Sequence, residues 1–162
     1  MTTRYTIVPS PVGDLLLTAA EDALTGVWFA PHGTRTRGLQ RDDAWPVLAQ
    51  ARRELAEYFA GRRRRFDLKL QPQGTPFQLS VWQALLEVDF GRTSTYGALA
   101  AKVGRPTGAR AVGAAVGANP MSIVVPCHRI VGSTGALTGF GGGLERKAKL
   151  LALEGATLPL AV

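Results

Sequence analysis

The sequence predicts an α+β protein in two parts, a small α/β domain followed by a mainly helical domain that contains a helix–turn–helix. In the first part, apolar residues fall in short alternating or continuous runs, which are typical of strands. In the second part, they recur at helical spacing. Pro72, Gly74 and Pro76 interrupt the pattern between the two parts. We therefore expect domains over residues 1–73 and 74–162.

The composition excludes several classes of protein. Apolar residues make up 46% of the chain, enough for a packed core. One cysteine and two histidines allow neither a disulfide framework nor a zinc site, so we expect no metal and no cofactor. Since no membrane span or signal-peptide core is visible, we expect a soluble cytoplasmic protein. The net charge of +7 favours a polyanionic partner, with a merely soluble basic surface as an equal alternative.

Strands dominate the first part. Three antiparallel strands joined by short turns are predicted over residues 4–9, 14–20 and 24–30. A polar loop over residues 31–44 follows, and then a helix over Trp45–Phe59 that Gly61 ends. The run Arg62–Arg65 is typical of a solvated face, with phosphate contact as the less favoured alternative. Alternation over residues 66–70 predicts a further strand.

Helices dominate the second part. Four are predicted, over residues 75–88, 96–103, 107–116 and 144–154. Thr95 and Thr107 stand where the second and third helices need N-caps. Gly104-Arg105-Pro106 separates these two helices. The pair resembles a helix–turn–helix, in which the second helix enters a nucleic-acid groove.

The second helix of this pair has an unusual surface. Its small side chains, which allow a partner to approach closely, include Ala109, Ala111 and Gly113. Arg110 is the long side chain among them and could fill the space that a flipped base leaves. Close helix–helix packing with a solvated Arg110 is an equal alternative on this stretch alone.

The reactive centre predicted from the residues is Cys127. The β-branched run Ile123–Val125 predicts a short buried strand that ends at Pro126, with Cys127 just beyond it. A thiolate is a nucleophile, and His128 could take its proton directly or, more readily, through a water. Arg129 adds positive charge. The alternative is that a lone cysteine is a small buried apolar residue.

Three further features surround this centre. Asn119 lies eight residues before the cysteine and is followed by a proline, so it could brace the reactive loop. Glu154 lies in the last turn of its helix, where the helix dipole disfavours an acid, so it could instead orient His128. An exposed glutamate with a small energetic cost is an equal alternative. The glycines of 137–143 allow close backbone approach to a ligand, and Phe140 could line a base pocket.

The second part of the chain resembles the O6-alkylguanine-DNA alkyltransferases, also called methylated-DNA–protein-cysteine methyltransferases. The resemblance covers roughly residues 74–156. It is carried by the strings Phe77…Val81-Trp82-Gln83-Ala84-Leu85, Gly91-Arg92-Thr93…Tyr96, Ala109-Arg110-Ala111-Val112-Gly113, Asn119-Pro120, Ile123-Val124-Val125-Pro126-Cys127-His128-Arg129-Ile130 and Gly142-Gly143-Leu144…Lys147…Leu150-Leu151…Glu154-Gly155. The first part is similar only in layout to the ribonuclease-H-like domain of that family.

The resemblance implies a catalytic role for five residues. Cys127 would be the alkyl acceptor, with His128 as its base through a water and Glu154 as the acid that orients His128. Asn119 would brace the active-site turn. Tyr96 would assist base flipping and donate a proton to the leaving guanine.

The resemblance also implies how DNA is bound. The recognition helix would lie in the minor groove of double-stranded DNA that contains O6-alkylguanine, with little dependence on sequence. Arg110 would replace the flipped nucleotide. The other implied DNA-binding residues are Tyr96, Thr95, Ala109, Ala111 and Gly113. Ile130, Phe140 and Gly141 would line the substrate pocket.

The implied function is DNA repair by a single-turnover methylated-DNA–[protein]-cysteine S-methyltransferase. An alkyl group passes from O6 of guanine to Cys127, and activity on O4 of thymine is left open. We expect a monomer in solution and leave cooperative assembly on DNA open. Two alternatives are a lesion-sensing DNA-binding protein without transfer, whose known relatives replace the cysteine, and a cysteine hydrolase that has turnover and no affinity for DNA.

The chain departs from the family in two places. Some members carry tyrosine and then serine where this chain has Phe140-Gly141, so side-chain hydrogen bonds to the lesion are lost. We expect the smaller residue to admit bulkier alkyl groups, which competition by a benzylated guanine analogue would test. Some relatives bind zinc in the first domain, but this chain lacks the ligands.

Overall fold

The computed structural model of the chain describes residues 2–135, 137 and 140–156. It divides into two compact units. One unit contains the described residues up to Gln73 together with Pro120–Val124, and the other contains Gly74–Asn119 and the described residues from Val125 onward. Within these described ranges, none of the helices has the length and apolar character needed to cross a membrane.

The first unit is built on a mixed sheet of four strands. These are β1 (Thr3–Val8), β2 (Leu15–Ala20), β3 (Ala23–Phe29) and β4 (Gln40–Arg41), in the order β3-β2-β1-β4. The predicted antiparallel pairing of β1 with β2 and of β2 with β3 is confirmed. The predicted loop over residues 31–44 contains β4, which pairs parallel with β1. Two exposed polar residues carry no apolar alternation, so the pattern did not reveal this strand.

One helix, α1 (Pro46–Phe59), packs on the sheet of the first unit. Its buried face repeats at helical spacing and comprises Val47, Leu48, Ala51, Glu54, Leu55 and Tyr58. Gly61 follows it with a φ of 77°, a left-handed conformation that favours glycine. The three leucines of β2 are fully buried. Each stabilises the fold by about 1.5–3 kcal/mol relative to an exposed leucine.

The strand predicted over residues 66–70 is wrong, because only Leu70 forms a bridge, to Leu24. Charged groups hold the segment instead. The Arg63 guanidinium pairs with three carboxylates, those of Glu54, Glu57 and Asp67. Glu54 is only 1% exposed and accepts a hydrogen bond from the backbone N–H of Asp67. One member of the arginine run therefore has a structural role within the first unit.

The second unit is mainly helical, and the predicted order of a strand-rich part before a helical part is confirmed. Its elements are α2 (Pro76–Leu85), β5 (Ser94–Thr95), α3 (Tyr96–Lys102), α4 (Ala109–Gly117), a 3-10 turn (Cys127–Arg129), β6 (Ile130–Val131) and α5 (Leu144–Leu153). Helices α2, α3 and α4 pack against one another. The buried Trp82 side chain of α2 donates its indole N–H to the carbonyl of Ala115 in α4 at 2.8 Å.

The two N-caps predicted for the helix pair had different outcomes. Thr95 caps α3, as predicted, because its hydroxyl accepts the N–H of Ala98 at 3.1 Å. Thr107 as a cap is wrong, since α4 begins after Gly108 and has no side-chain cap. The Gly108 N–H closes a turn onto the carbonyl of Arg105 at 2.7 Å. A Cβ on Gly108 would lie 2.9 Å from the Arg105 Cβ, so this turn requires glycine at the helix start.

The strand predicted over Ile123–Val125 is also wrong. These buried residues form consecutive turns, and Ile123 has a φ of 75°, which is a rare conformation for a β-branched residue. A run of apolar residues can be buried equally well in a packed loop and in a strand, and sequence periodicity does not distinguish the two. The strand in this region is β6, which comes after the cysteine and pairs parallel with β5.

Candidate active site

Cys127 begins the 3-10 turn directly after Pro126. Its backbone N–H donates to the carbonyl of Val125 at 2.8 Å, and the Arg129 N–H donates to that of Pro126 at 3.0 Å. Because the backbone turns here instead of continuing as a strand, Cys127 and His128 are not forced onto opposite faces. Cys127 is 5% exposed, and the His128 side chain is fully buried.

Asn119 lies beside this turn. Its side-chain amide is buried and donates to the carbonyl of Val125 at 2.9 Å, which fixes the backbone two residues before the cysteine. Burial raises the pKa of the Cys127 thiol, and the hydrogen bond from Asn119 opposes this rise. The sequence indicated a bracing position for Asn119, and the structure places its amide next to the thiol-bearing turn.

Replacing Asn119 with alanine is expected to move the alkylation of Cys127 to higher pH. The variant loses the hydrogen bond that lowers the thiol pKa, while burial, which raises it, remains. Measuring the rate of iodoacetamide alkylation against pH tests this. The readout is specific because Cys127 is the one cysteine of the chain. An unchanged pH profile in a folded variant would contradict the contribution of Asn119.

Lys147, one of the residues that carry the resemblance, also belongs to this site, although no role was predicted for it. It lies on α5 and is fully buried, and its positive charge lowers the pKa of Cys127. Burial in turn lowers the pKa of Lys147 itself. A signal was present in the sequence, because Lys147, Leu150, Leu151 and Glu154 recur at the spacing of one buried helix face.

Glu154 connects α5 to the reactive turn. Nε2 of His128 lies 2.8 Å from Oε2 of Glu154, and the Arg129 guanidinium contacts both carboxylate oxygens, at 2.8 Å and 3.0 Å. An ionised carboxylate only accepts hydrogen bonds, so Nε2 of His128 must carry the proton. Nδ1 of the ring is buried and has no hydrogen-bond partner among the described residues. The ring therefore offers a lone pair at Nδ1, as a general base requires.

Burial, more than the surrounding charges, keeps His128 in this form. Burial lowers the His128 pKa, and the positive charges of Arg129 and Lys147 lower it further. The hydrogen bond and the charge of Glu154 act in the opposite direction. The net direction of the His128 pKa is downward, because burial has the largest effect.

The predicted DNA-binding residues lie at the start of α3 and along α4. Arg110, Ala109 and Ala111 are exposed on α4. Tyr96 is half-buried at the first position of α3, and a Cβ on Gly113 would lie 3.7 Å from its ring. The structure thus brings Tyr96 and α4 together at one surface. Thr95 caps the same helix end, and the roles of these residues in binding DNA remain predictions.

The predicted pocket residues lie in two different segments of the second unit, β6 and the stretch before α5. Ile130 is fully buried on β6. Nζ of Lys147 lies 5.9 Å from the centre of the Phe140 ring. Gly141 is exposed, and a Cβ there would lie 3.8 Å from the carbonyl oxygen of Gly117. Two residues of the predicted glycine-rich run, 138 and 139, lie outside the described residues.

Two family models match this chain. The model described as "6-O-methylguanine DNA methyltransferase, DNA binding domain" matches residues 76–156, and the "ribonuclease-like domain" of the same enzyme matches residues 3–72. A methylated-DNA–protein-cysteine methyltransferase from Methanosarcina acetivorans is 44% identical over 93% of this chain and 97% of its own. The chain belongs to the methylated-DNA–protein-cysteine methyltransferase family. The resemblance predicted from the sequence is thereby confirmed.

Other members of the family are similar to this chain over nearly their whole length. The Haemophilus influenzae enzyme is 46% identical over 93% of this chain and 85% of its own. A crystal structure of Mycobacterium tuberculosis O6-methylguanine methyltransferase has a TM-score of 0.88 at 41% identity, covering 95% of this chain and 93% of that one. A structure of the Mycobacterium tuberculosis protein in complex with DNA has a TM-score of 0.87 at 42% identity, covering 96% and 93%.

Proposed function

We propose that Cys127 accepts an alkyl group from O6 of guanine in double-stranded DNA, in one displacement that repairs the base. Membership of the methylated-DNA–protein-cysteine methyltransferases makes the protein a DNA-repair alkyltransferase. The observation that carries the assignment of residues is the buried hydrogen bond between Glu154 and His128, the residue that directly follows the one cysteine. This is the arrangement of nucleophile, base and orienting acid that activates a thiol.

The chemical step uses these groups in order. His128 accepts the Cys127 proton at Nδ1 through a water, which generates the thiolate. The thiolate sulfur attacks the alkyl carbon in line with the bond to O6, and the bonding electron pair leaves with guanine. Tyr96 supplies the proton that the leaving guanine needs and recovers one from solvent. While His128 holds this proton, the negative charge of Glu154 stabilises the positively charged imidazolium ring.

The product on the protein is a thioether. A thiolate is a poor leaving group from a thioether, so hydrolysis does not remove the alkyl group from Cys127. The protein therefore acts once. Each molecule restores a single guanine.

We further propose that α3 and α4 form a helix–turn–helix whose second helix lies in the minor groove. The exposed small residues of α4 support close approach to DNA, and Arg110 fills the space left by the flipped base. Domains over residues 1–73 and 74–162, with a ribonuclease-H-like first domain, complete this assignment. The protein acts in the cytoplasm as a monomer.

Replacing Arg110 with alanine is expected to slow transfer from duplex DNA by roughly tenfold to a hundredfold, because base extrusion costs a few kcal/mol. Transfer from a single-stranded oligonucleotide, which needs no extrusion, should change little. Arg53→Ala is a charge-matched control on an exposed position of α1. Equal losses on duplex and single-stranded substrates would contradict a role in flipping.

The proposed function is tested by counting repaired bases. Duplex DNA carrying O6-methylguanine is mixed in excess with the protein, and nucleosides are measured after digestion. We expect one restored guanine for each protein molecule, and then no further change. Binding without restored guanine would favour the lesion-sensing alternative, which the presence of Cys127 disfavours. Restoration beyond one equivalent would contradict single turnover.

A further inference from the structure

Glu154 is shared by two side chains of the reactive turn. His128 donates to Oε2 at 2.8 Å, while Arg129 donates from Nε to Oε1 at 2.8 Å and from Nη2 to Oε2 at 3.0 Å. The two bonds from Arg129 fix the plane of the carboxylate, because a guanidinium and a carboxylate match as planar forks. Arg129 is itself fixed, since Nη1 donates to the carbonyl of Val88 at 2.7 Å and the residue is 6% exposed.

The pair of Arg129 and Glu154 is already balanced when His128 is neutral. Arg129 and Glu154 cancel each other, so a proton on His128 would leave a net positive charge in a buried place, which is costly. Lys147 adds a second buried cation that acts on His128 in the same direction. Without Arg129, the Glu154 carboxylate would lose the cation that balances its charge beside His128. A buried carboxylate next to a histidine favours the imidazolium, which has no lone pair to accept a proton.

We propose that Arg129 is a positioning residue that holds Glu154 by two hydrogen bonds and thereby keeps His128 neutral, with Nδ1 able to accept the Cys127 proton. The inference rests on the proposed function for its purpose, but its physical content concerns only the resting protein. It gives Arg129 a role beyond the general positive charge that the sequence suggested.

A purely structural role for Arg129 is the competing explanation. By bonding Glu154 and the Val88 carbonyl, Arg129 also ties the end of α5 to the segment after α2. That role predicts a less stable variant in which the remaining folded molecules have an unchanged His128. The two explanations therefore differ in the titration of His128, not in stability.

Nitrogen-15 NMR of labelled histidines measures that titration directly. The chain has two histidines, so His32, in the first unit, provides an internal reference in the same spectra. In Arg129→Met and Arg129→Gln, we expect the His128 midpoint to rise by about one pH unit or more relative to wild type, since an unshielded nearby carboxylate favours the charged ring. Arg129→Lys restores a cation and should return the midpoint toward the wild-type value.

A control variant and two contrary results complete the test of Arg129. Arg53→Met removes the same charge from an exposed position of α1 and should leave the His128 midpoint unchanged. A folded neutral variant with the wild-type midpoint would overturn the proposal, as would Arg129→Lys with the midpoint of the neutral variants. If neither neutral variant folds, the wild-type protein can still contradict the proposal. His128 protonated on both nitrogens at pH 7 would overturn the proposal, and protonation on Nε2 alone would support it.

The same spectra separate this inference from the proposed function. They need no DNA and no transfer, so a protein that fails to repair O6-methylguanine can still show the Arg129 effect. Conversely, if the protein repairs DNA but the His128 midpoint does not depend on Arg129, the proposed function stands and the inference about Arg129 is wrong. A pH profile of transfer in Arg129→Lys and Arg129→Gln then connects the two. We expect the profile of Arg129→Gln to shift to higher pH together with the His128 midpoint.

Discussion

Cys127→Ser is expected to abolish alkyl transfer while the variant still binds duplex DNA. A serine hydroxyl is a far weaker nucleophile than a thiolate and is not ionised at neutral pH. The substitution changes one buried atom, and Asn119 remains beside it to satisfy the new hydroxyl. Transfer is measured with O6-methylguanine duplex, and binding by the mobility of the same duplex in a gel.

The outcomes for Cys127→Ser are clear-cut. Loss of transfer with retained binding separates the nucleophile from the DNA-binding surface. Any transfer above background would mean that another residue accepts the alkyl group. Loss of both activities, in a variant that unfolds like wild type, would mean that the cysteine contributes to the binding surface itself.

Glu154→Gln is expected to destabilise the protein by about 3–5 kcal/mol, because it leaves the buried Arg129 charge without its partner. It should also slow transfer by roughly a hundredfold or more, since His128 loses the negative charge that stabilises its protonated form during the reaction. Urea unfolding gives the free energy of unfolding. The transfer rate is measured well below the midpoint of that transition.

A matched control exists on the same helix. Glu145 lies exposed in the first turn of α5, and Glu145→Gln should cost no more than about 1 kcal/mol and leave the transfer rate unchanged. Equal effects of Glu154→Gln and Glu145→Gln would contradict the role of Glu154 in orienting His128.

The sequence predicted elements whose local signal agrees with the fold. Alternating apolar residues gave the antiparallel strands of the first unit, and Thr95 was identifiable as an N-cap. Glu154 was identifiable because it stands against the helix dipole, and that misplacement indicated a partner elsewhere. Its partner, His128, is 26 residues away along the chain.

The predictions that were wrong or missing also have physical causes. Ile123–Val125 is β-branched and buried, but burial in a turn leaves the same pattern as burial in a strand. Thr107 is a good cap residue, yet the turn closed by Gly108 moves the helix start past it. No role was predicted for Lys147, because a lysine on a helix is normally solvated. Only the packing of α5 shows that this lysine is buried with the thiol.

The most direct test of the central claim is the intact mass of the protein after reaction with duplex DNA that carries one O6-methylguanine. A gain of one methylene unit that maps to the Cys127 peptide, and that stops at one equivalent with DNA in excess, is the predicted result. An unchanged mass, or a gain that maps to any other peptide, would contradict transfer to Cys127.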